Sequence, residues 1–154
     1  MSDIQRRNAE ILGEIRIRRD ELYVAILGLE NAVSAPSKGR IVDWAHGVAD
    51  HVERVRAAFK KHVAITENPG GLFDDVMDQA PRLAHAIAEL RRNHKSLQSL
   101  LDDAERSIPN VHNVNRVERT RARLLDLIRD FLEHRHRGSE LVYDAYNVDL
   151  GAGD

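Results

Sequence analysis

The sequence predicts an all-α protein, an up-down-up-down antiparallel four-helix bundle. Apolar residues recur in steps of three and four along four long segments, the spacing that lines them up on one face of a helix. Breaks containing proline and glycine separate those segments and leave only short connections, which make consecutive helices antiparallel neighbours. No alternating strand pattern of useful length is present. A coiled-coil hairpin dimer is the alternative that the same pattern allows.

The first helix is expected from about Asp3 to Val33, with Ile11, Ile15, Leu22, Ala25 and Leu29 on its seam. It stops at Ser34, Ala35, Pro36, Ser37, Lys38, Gly39, because proline removes a backbone donor and glycine favours a turn. The second runs from about Arg40 to Glu67, carries the stripe Val48, Val52, Val55, Phe59, His62, Thr66, and ends at Asn68, Pro69, Gly70, Gly71. A short segment from Leu72 to Gln79 leads to Pro81, which suits the first turn of a third helix ending near Ser107. Its stripe is Leu83, Ile87, Leu90, His94, Leu97, Leu101. After Ile108, Pro109 and Asn110, Asn115 followed three residues later by Glu118 predicts a capping box. It opens a fourth helix to about Tyr146, with the stripe Leu124, Leu127, Phe131, His134, Gly138, Leu141. Residues 147–154 read as a flexible tail.

A chain of 154 residues, 42% hydrophobic and 31% charged, has the size and composition of one globular domain spanning 1–154. The absence of cysteine excludes disulfides, thiolate metal sites and cysteine nucleophiles. A formal net charge of -2 gives no overall pull toward nucleic acid or an anionic membrane. The basic runs Arg16, Arg18, Arg19 and Lys60, Lys61 read as solvated helix faces. There is no signal-peptide apolar region and no stretch near the roughly 20 apolar residues that cross a bilayer. The expectation is a cytoplasmic protein with neither nucleic acid nor membrane as partner.

His62, His94 and His134 each interrupt an apolar seam, so three imidazoles from three helices face what the helices enclose. A single seam histidine is usually a core residue bonded to a neighbour. Three together cost free energy unless each finds a partner, and a shared metal ion satisfies them jointly. Antiparallel neighbours bring together residues equally far from their connecting turn. The midpoint of His62 and His94 falls at residue 78, and that of His94 and His134 at 114, both at the connections. At about 1.5 Å per residue the depths agree within one to two turns. Reflection across Pro36 puts the matching level of the first helix near Ile11 to Arg18, where Glu14 is the available carboxylate and Arg18 occupies the seam. A guanidinium beside a dication is repulsive, so either Arg18 points away or the site is not a full metal centre.

Three passages resemble the hemerythrin-like (HHE cation-binding) family of four-helix bundles. They are His62, Val63, Ala64, Ile65, Thr66, Glu67 with the trailing Gly71, Leu72, Phe73; then Leu90, Arg91, Arg92, Asn93, His94; and His134 to Tyr146. The resemblance implies a non-haem iron centre between the helices. That family places a histidine on the first helix, His-x-x-x-Glu on the second, a histidine on the third, and a histidine followed by a carboxylate on the fourth. This chain departs from it. Thr66 stands four residues after His62, with Glu67 displaced by about 100° around the helix. Gly138 stands four residues after His134, and the first-helix histidine is missing. The expected ligands are His62, His94 and His134, with Glu67 and Glu14 as flexible carboxylates. Such a set suits one iron or zinc ion better than two bridged irons. The resemblance implies sensing or binding of dioxygen, nitric oxide or redox state, with a small diatomic ligand as partner, rather than turnover of an organic substrate.

Two other readings stay open. One is a metal-free helical interaction module, with homodimerisation as its association, in which the histidines and Arg18 form a polar network with Glu14 or Glu67. The other is a metal-dependent hydrolase or oxidase using the open coordination positions. Glu133 and His136 form a single Glu-x-x-His, whereas ferritin-like sites use two copies. No phosphate-binding glycine loop, zincin motif or nucleophile elbow is present. Tyr143 and Tyr146 read as a cap at the open end of the bundle with their hydroxyls in solvent, and Trp44 as packing for the same end region. Gly138 is costly inside a helix and suggests close helix approach or room for a small ligand beside His134.

Overall fold

Each predicted stripe forms a helix in the computed structural model, which describes residues 2–150. The first, α1 (Asp3–Ser34), opens with a reciprocal cap between Ser2 and Gln5 that satisfies two otherwise orphaned donors. It ends before Pro36, and Gly39 turns the chain with φ 70 into α2 (Ile41–Glu67). Gly70 (φ 79) makes the next turn, and a Cβ at Gly71 would lie 2.5 Å from the Ile65 carbonyl, so only glycine fits this corner. There follow the short α3 (Leu72–Gln79), a 3-10 turn at Pro81–Leu83, α4 (Ala84–Ser107), a second 3-10 turn at Ile108–Asn110, and α5 (Val114–Tyr146).

The cap of α5 is Asn113, not Asn115. Its extended backbone lets the side chain accept from the Arg116 N–H at 2.9 Å, while Asn115 lies inside the first turn. The helix ends at Asn147 in the left-handed region, φ 57, which asparagine tolerates. Val148 and Leu150 then pack back on the protein; residues 151–154 of the expected tail lie outside the described residues.

The four long helices are arranged as an up-down-up-down bundle. Arg56 of α2 pairs with Asp102 and Glu105 near the end of α4, while Glu67 at the end of α2 meets Arg91 near its beginning. Likewise Arg121 of α5 donates to the Val33 carbonyl of α1, and Arg135, further along, to that of Arg19. Contacts that advance on one helix as they retreat on the other make both pairs antiparallel.

Buried side chains form two clusters. One surrounds Leu29, Val48, Phe59, Leu101 and Phe131; the other gathers Ile15, Phe73, Val76, Ile87, Leu90 and Leu141. The change from one to the other falls at the same level on every long helix: between Ile15 and Leu22, beyond Phe59, between Leu90 and Leu97, and between Phe131 and Leu141. Arg19, His62, His94 and His134 stand at that level, a polar layer between two apolar halves. Among the described residues, no helix is long and apolar enough to cross a membrane.

The aromatic ends differ from expectation. Trp44 belongs to the first cluster, where its indole N–H donates to the Val33 carbonyl at 3.4 Å and Arg121 lies 5.3 Å over its ring. That is the end opposite the tyrosines, because α2 begins where α5 begins. Tyr143 is exposed, but the Tyr146 hydroxyl donates to Asp75 of α3 at 2.5 Å rather than to solvent. The buried Asp75 also accepts from Gln79 at 2.6 Å and faces Arg7 at 3.5 Å. Burial and the Asp75 bond push the Tyr146 phenol above its ordinary range, so it stays a donor and ties the end of α5 to α3.

Candidate metal centre

His62, His94 and His134 converge. One ring nitrogen from each lies within 4.8 Å of the others. The Nε2 atoms of His62 and His134 are 3.4 Å apart. Ring centroids are separated by 5.3 Å for His62 and His94, 5.5 Å for His62 and His134, and 4.7 Å for His94 and His134. Phe59 and Phe73 close around them: Phe73 stacks on His94 at 5.9 Å, and Phe59 meets it edge-on at 5.7 Å. No carboxylate joins this group among the described residues.

The protonation pattern follows from the partners. His94 Nδ1 lies 2.7 Å from Glu67 Oε2; an ionised carboxylate only accepts, so Nδ1 carries the proton. His94 Nε2 is therefore a bare lone pair, and it is buried without a hydrogen-bond partner. Glu67 is held in turn by Arg91 at 3.1 Å, whose guanidinium sits 5.2 Å over the Phe73 ring. The Nδ1 atoms of His62 and His134 are buried and unpartnered too, so outer support reaches the cluster through His94.

All three rings are kept neutral. Burial pushes His62 well below the ordinary histidine value, helped by His134, His94 and Arg19. Burial also lowers His94, against the opposing effect of its hydrogen bond to Glu67. His134 is lowered to about 3, first by burial and then by His94 and Arg137. Neutral imidazole is the ligating form.

The set could hold one ion. Two nitrogens about 2.1 Å from a common ion, at a near-tetrahedral angle, lie about 3.4 Å apart, which is the His62–His134 separation. As a hydrogen bond that distance is long. An ion also accounts for the orphaned Nε2 of His94, whose Nδ1–H bond to a carboxylate is the usual support of a ligating histidine.

The expected carboxylates stand elsewhere. Glu67 approaches the outer nitrogen of His94 rather than the cluster. Glu14 pairs with Arg18 at 2.9 Å, outside the group. Thr66, where the family pattern has a carboxylate, turns its hydroxyl back onto the His62 and Val63 carbonyls, both at 3.0 Å. Arg18 points away from the core and bonds Glu14 and Glu21.

The residue facing the cluster from α1 is Arg19, which is only 5% exposed although the basic run suggested a solvated face. From Ile15 to Leu22 the seam can step through 18 or 19, since both honour the three-four rhythm. The sequence carried no signal to choose. Arg19 donates to Ser139 Oγ and the Arg135 carbonyl of α5, and Arg135 lies 4.3 Å over the Tyr23 ring.

Beside the histidines is a cavity of about 40 Å³, walled mainly by apolar residues including Ile15, Leu90, Phe131 and Leu150, with Arg19, Thr66 and Gly138 also on its lining. One water needs about 10–15 Å³ of such space, so the cavity admits a few small atoms. A Cβ at Gly138 would meet nothing within 4 Å; this glycine leaves room at the cavity wall rather than permitting close helix contact.

No family model, curated protein or solved structure matches this chain.

Proposed function

We propose that this chain is a metal-binding four-helix bundle that holds one divalent transition-metal ion on His62, His94 and His134. The observation that carries this reading is the convergence of three neutral imidazoles, with the inner nitrogen of His94 unpartnered and its outer nitrogen held by Glu67. The resemblance to the hemerythrin-like family favours iron, and binding or sensing of dioxygen, nitric oxide or redox state in the small cavity. Zinc is the alternative ion. With no carboxylate in the group, a single ion is the better match than a bridged pair. The bound metal would supply an electrophilic centre with open coordination positions; the chain supplies three fixed nitrogens, the Glu67 bond that orients His94, and a mostly apolar wall.

The test is metal analysis of untagged protein after anaerobic ferrous, cobalt or zinc loading and gel filtration. One ion per chain is expected, together with a rise in thermal stability that grows with free metal, about 2.7 kcal/mol at a hundred times the dissociation constant. Less than a tenth of an ion under every loading would overturn the reading. Glu67→Gln should weaken metal affinity about 10- to 100-fold by removing the charge behind His94, measured by competition with a chromophoric chelator.

A second reading, a metal-free interaction module, is favoured by the buried cation Arg19 at the histidine level. Under it the loading experiment shows no retained ion.

A further inference from the structure

Three imidazoles bring no charge to an ion. The cluster contains three neutral nitrogens and, among the described residues, no carboxylate oxygen; Glu67 stands behind His94, and the cavity wall is mainly apolar. Bundle sites that hold trivalent ions surround them with carboxylates projecting inward. Here the positions one helical turn beyond His62 and His134 offer none. After His62 comes Thr66, its hydroxyl committed to its own helix, and after His134 comes Gly138, which has no side chain. Both line the cavity.

An apolar cavity screens charge poorly, so each added positive charge on the ion costs more there than in water. Imidazole nitrogen suits divalent zinc, copper, iron and nickel, whereas hard, highly charged ions need anionic oxygen. Resting on the metal-site reading above, we propose that the His62, His94, His134 centre is selective for charge: it takes divalent ions and excludes trivalent ones. Thr66 and Gly138 are the specificity-determining positions, because they withhold the carboxylates that a trivalent ion requires. For iron the consequence is a site that retains the ferrous ion in preference to the ferric ion.

Zinc(II) and gallium(III) test this without redox chemistry. Each is offered as its citrate complex at pH 6.5, followed by gel filtration and metal analysis. The unsubstituted chain should retain zinc at one per chain and gallium at less than a tenth of that. Gly138→Asp, for which the structure leaves open space, should raise gallium retention at least about tenfold, and Thr66→Glu should act in the same direction. Two variants on different helices guard against one failing to fold, and circular dichroism with zinc retention identifies the folded ones. Gallium retained by the unsubstituted chain as well as zinc would overturn the charge selectivity while leaving the metal site standing. So would a folded, zinc-binding Gly138→Asp or Thr66→Glu protein that still rejects gallium. Failure to retain zinc, cobalt and ferrous ion alike would overturn the metal-site reading and this inference with it.

Discussion

Replacing His62, His94 and His134 together with leucine is expected to abolish metal binding and, in the same protein, to raise the stability of the metal-free state. The two effects have opposite signs because the histidine layer interrupts an otherwise continuous core. Without an ion, His94 Nε2 and the Nδ1 atoms of His62 and His134 are buried without partners. Each such group costs about 1–3 kcal/mol. Removing the layer as a unit deletes these deficits, leaves Glu67 its bond to Arg91, and lets Phe59, Phe73 and Phe131 pack against aliphatic carbon. A gain of at least about 2 kcal/mol by urea denaturation at neutral pH is expected, with metal retention below a tenth of an ion per chain. A large loss of stability would instead mean that the histidines hold the fold themselves, and would sink the view that the layer is kept for its chemistry.

Acid is expected to destabilise the metal-free protein well before its exposed carboxylates titrate. The folded state holds His62, His94 and His134 below the ordinary histidine value, mainly through burial. Unfolded, they bind protons near pH 6.5. Below that pH the unfolded chain carries protons that the folded one refuses, so stability falls as pH falls. For His134 the window runs from pH 6.5 down to about 3. Within it each refused proton costs about 1.4 kcal/mol per pH unit. Above pH 6.5 this contribution is complete and the curve should be flat. Denaturation midpoints measured between pH 7.5 and 4 should show this decline in the natural chain, and a much shallower one in the triple leucine variant, which keeps every carboxylate. Equal slopes in the two proteins would contradict the neutral, buried state of the cluster.

The helices and their order were legible because side-chain periodicity is local: a stripe at three- and four-residue steps needs only its own segment. So was the meeting of three histidines, since short connections make antiparallel neighbours and equal distances from a turn give equal depth. Boundaries decided by a hydrogen bond were less legible. Asn113 and Asn115 are both credible caps, and the extended backbone at Asn113 selected it.

Side-chain commitment was legible only in part: Glu14 and Glu67 were in view as partners of Arg18 and the histidines, but not which atom each would take. Glu67 was visible as a carboxylate near the site, but its choice of the outer nitrogen of His94 depends on where α4 presents that ring and Arg91. Thr66 bonds back to its own helix. Arg19 rather than Arg18 enters the layer, where Ser139 and the Arg135 carbonyl of α5 receive it. The sequence by itself determined an all-helical bundle with three imidazoles at one level, since helical period and chain connectivity are one-dimensional facts. Only the tertiary structure decided that no carboxylate joins them and that an arginine completes the layer, because a flexible polar side chain goes to whichever partner the packing of neighbouring helices leaves within hydrogen-bond reach.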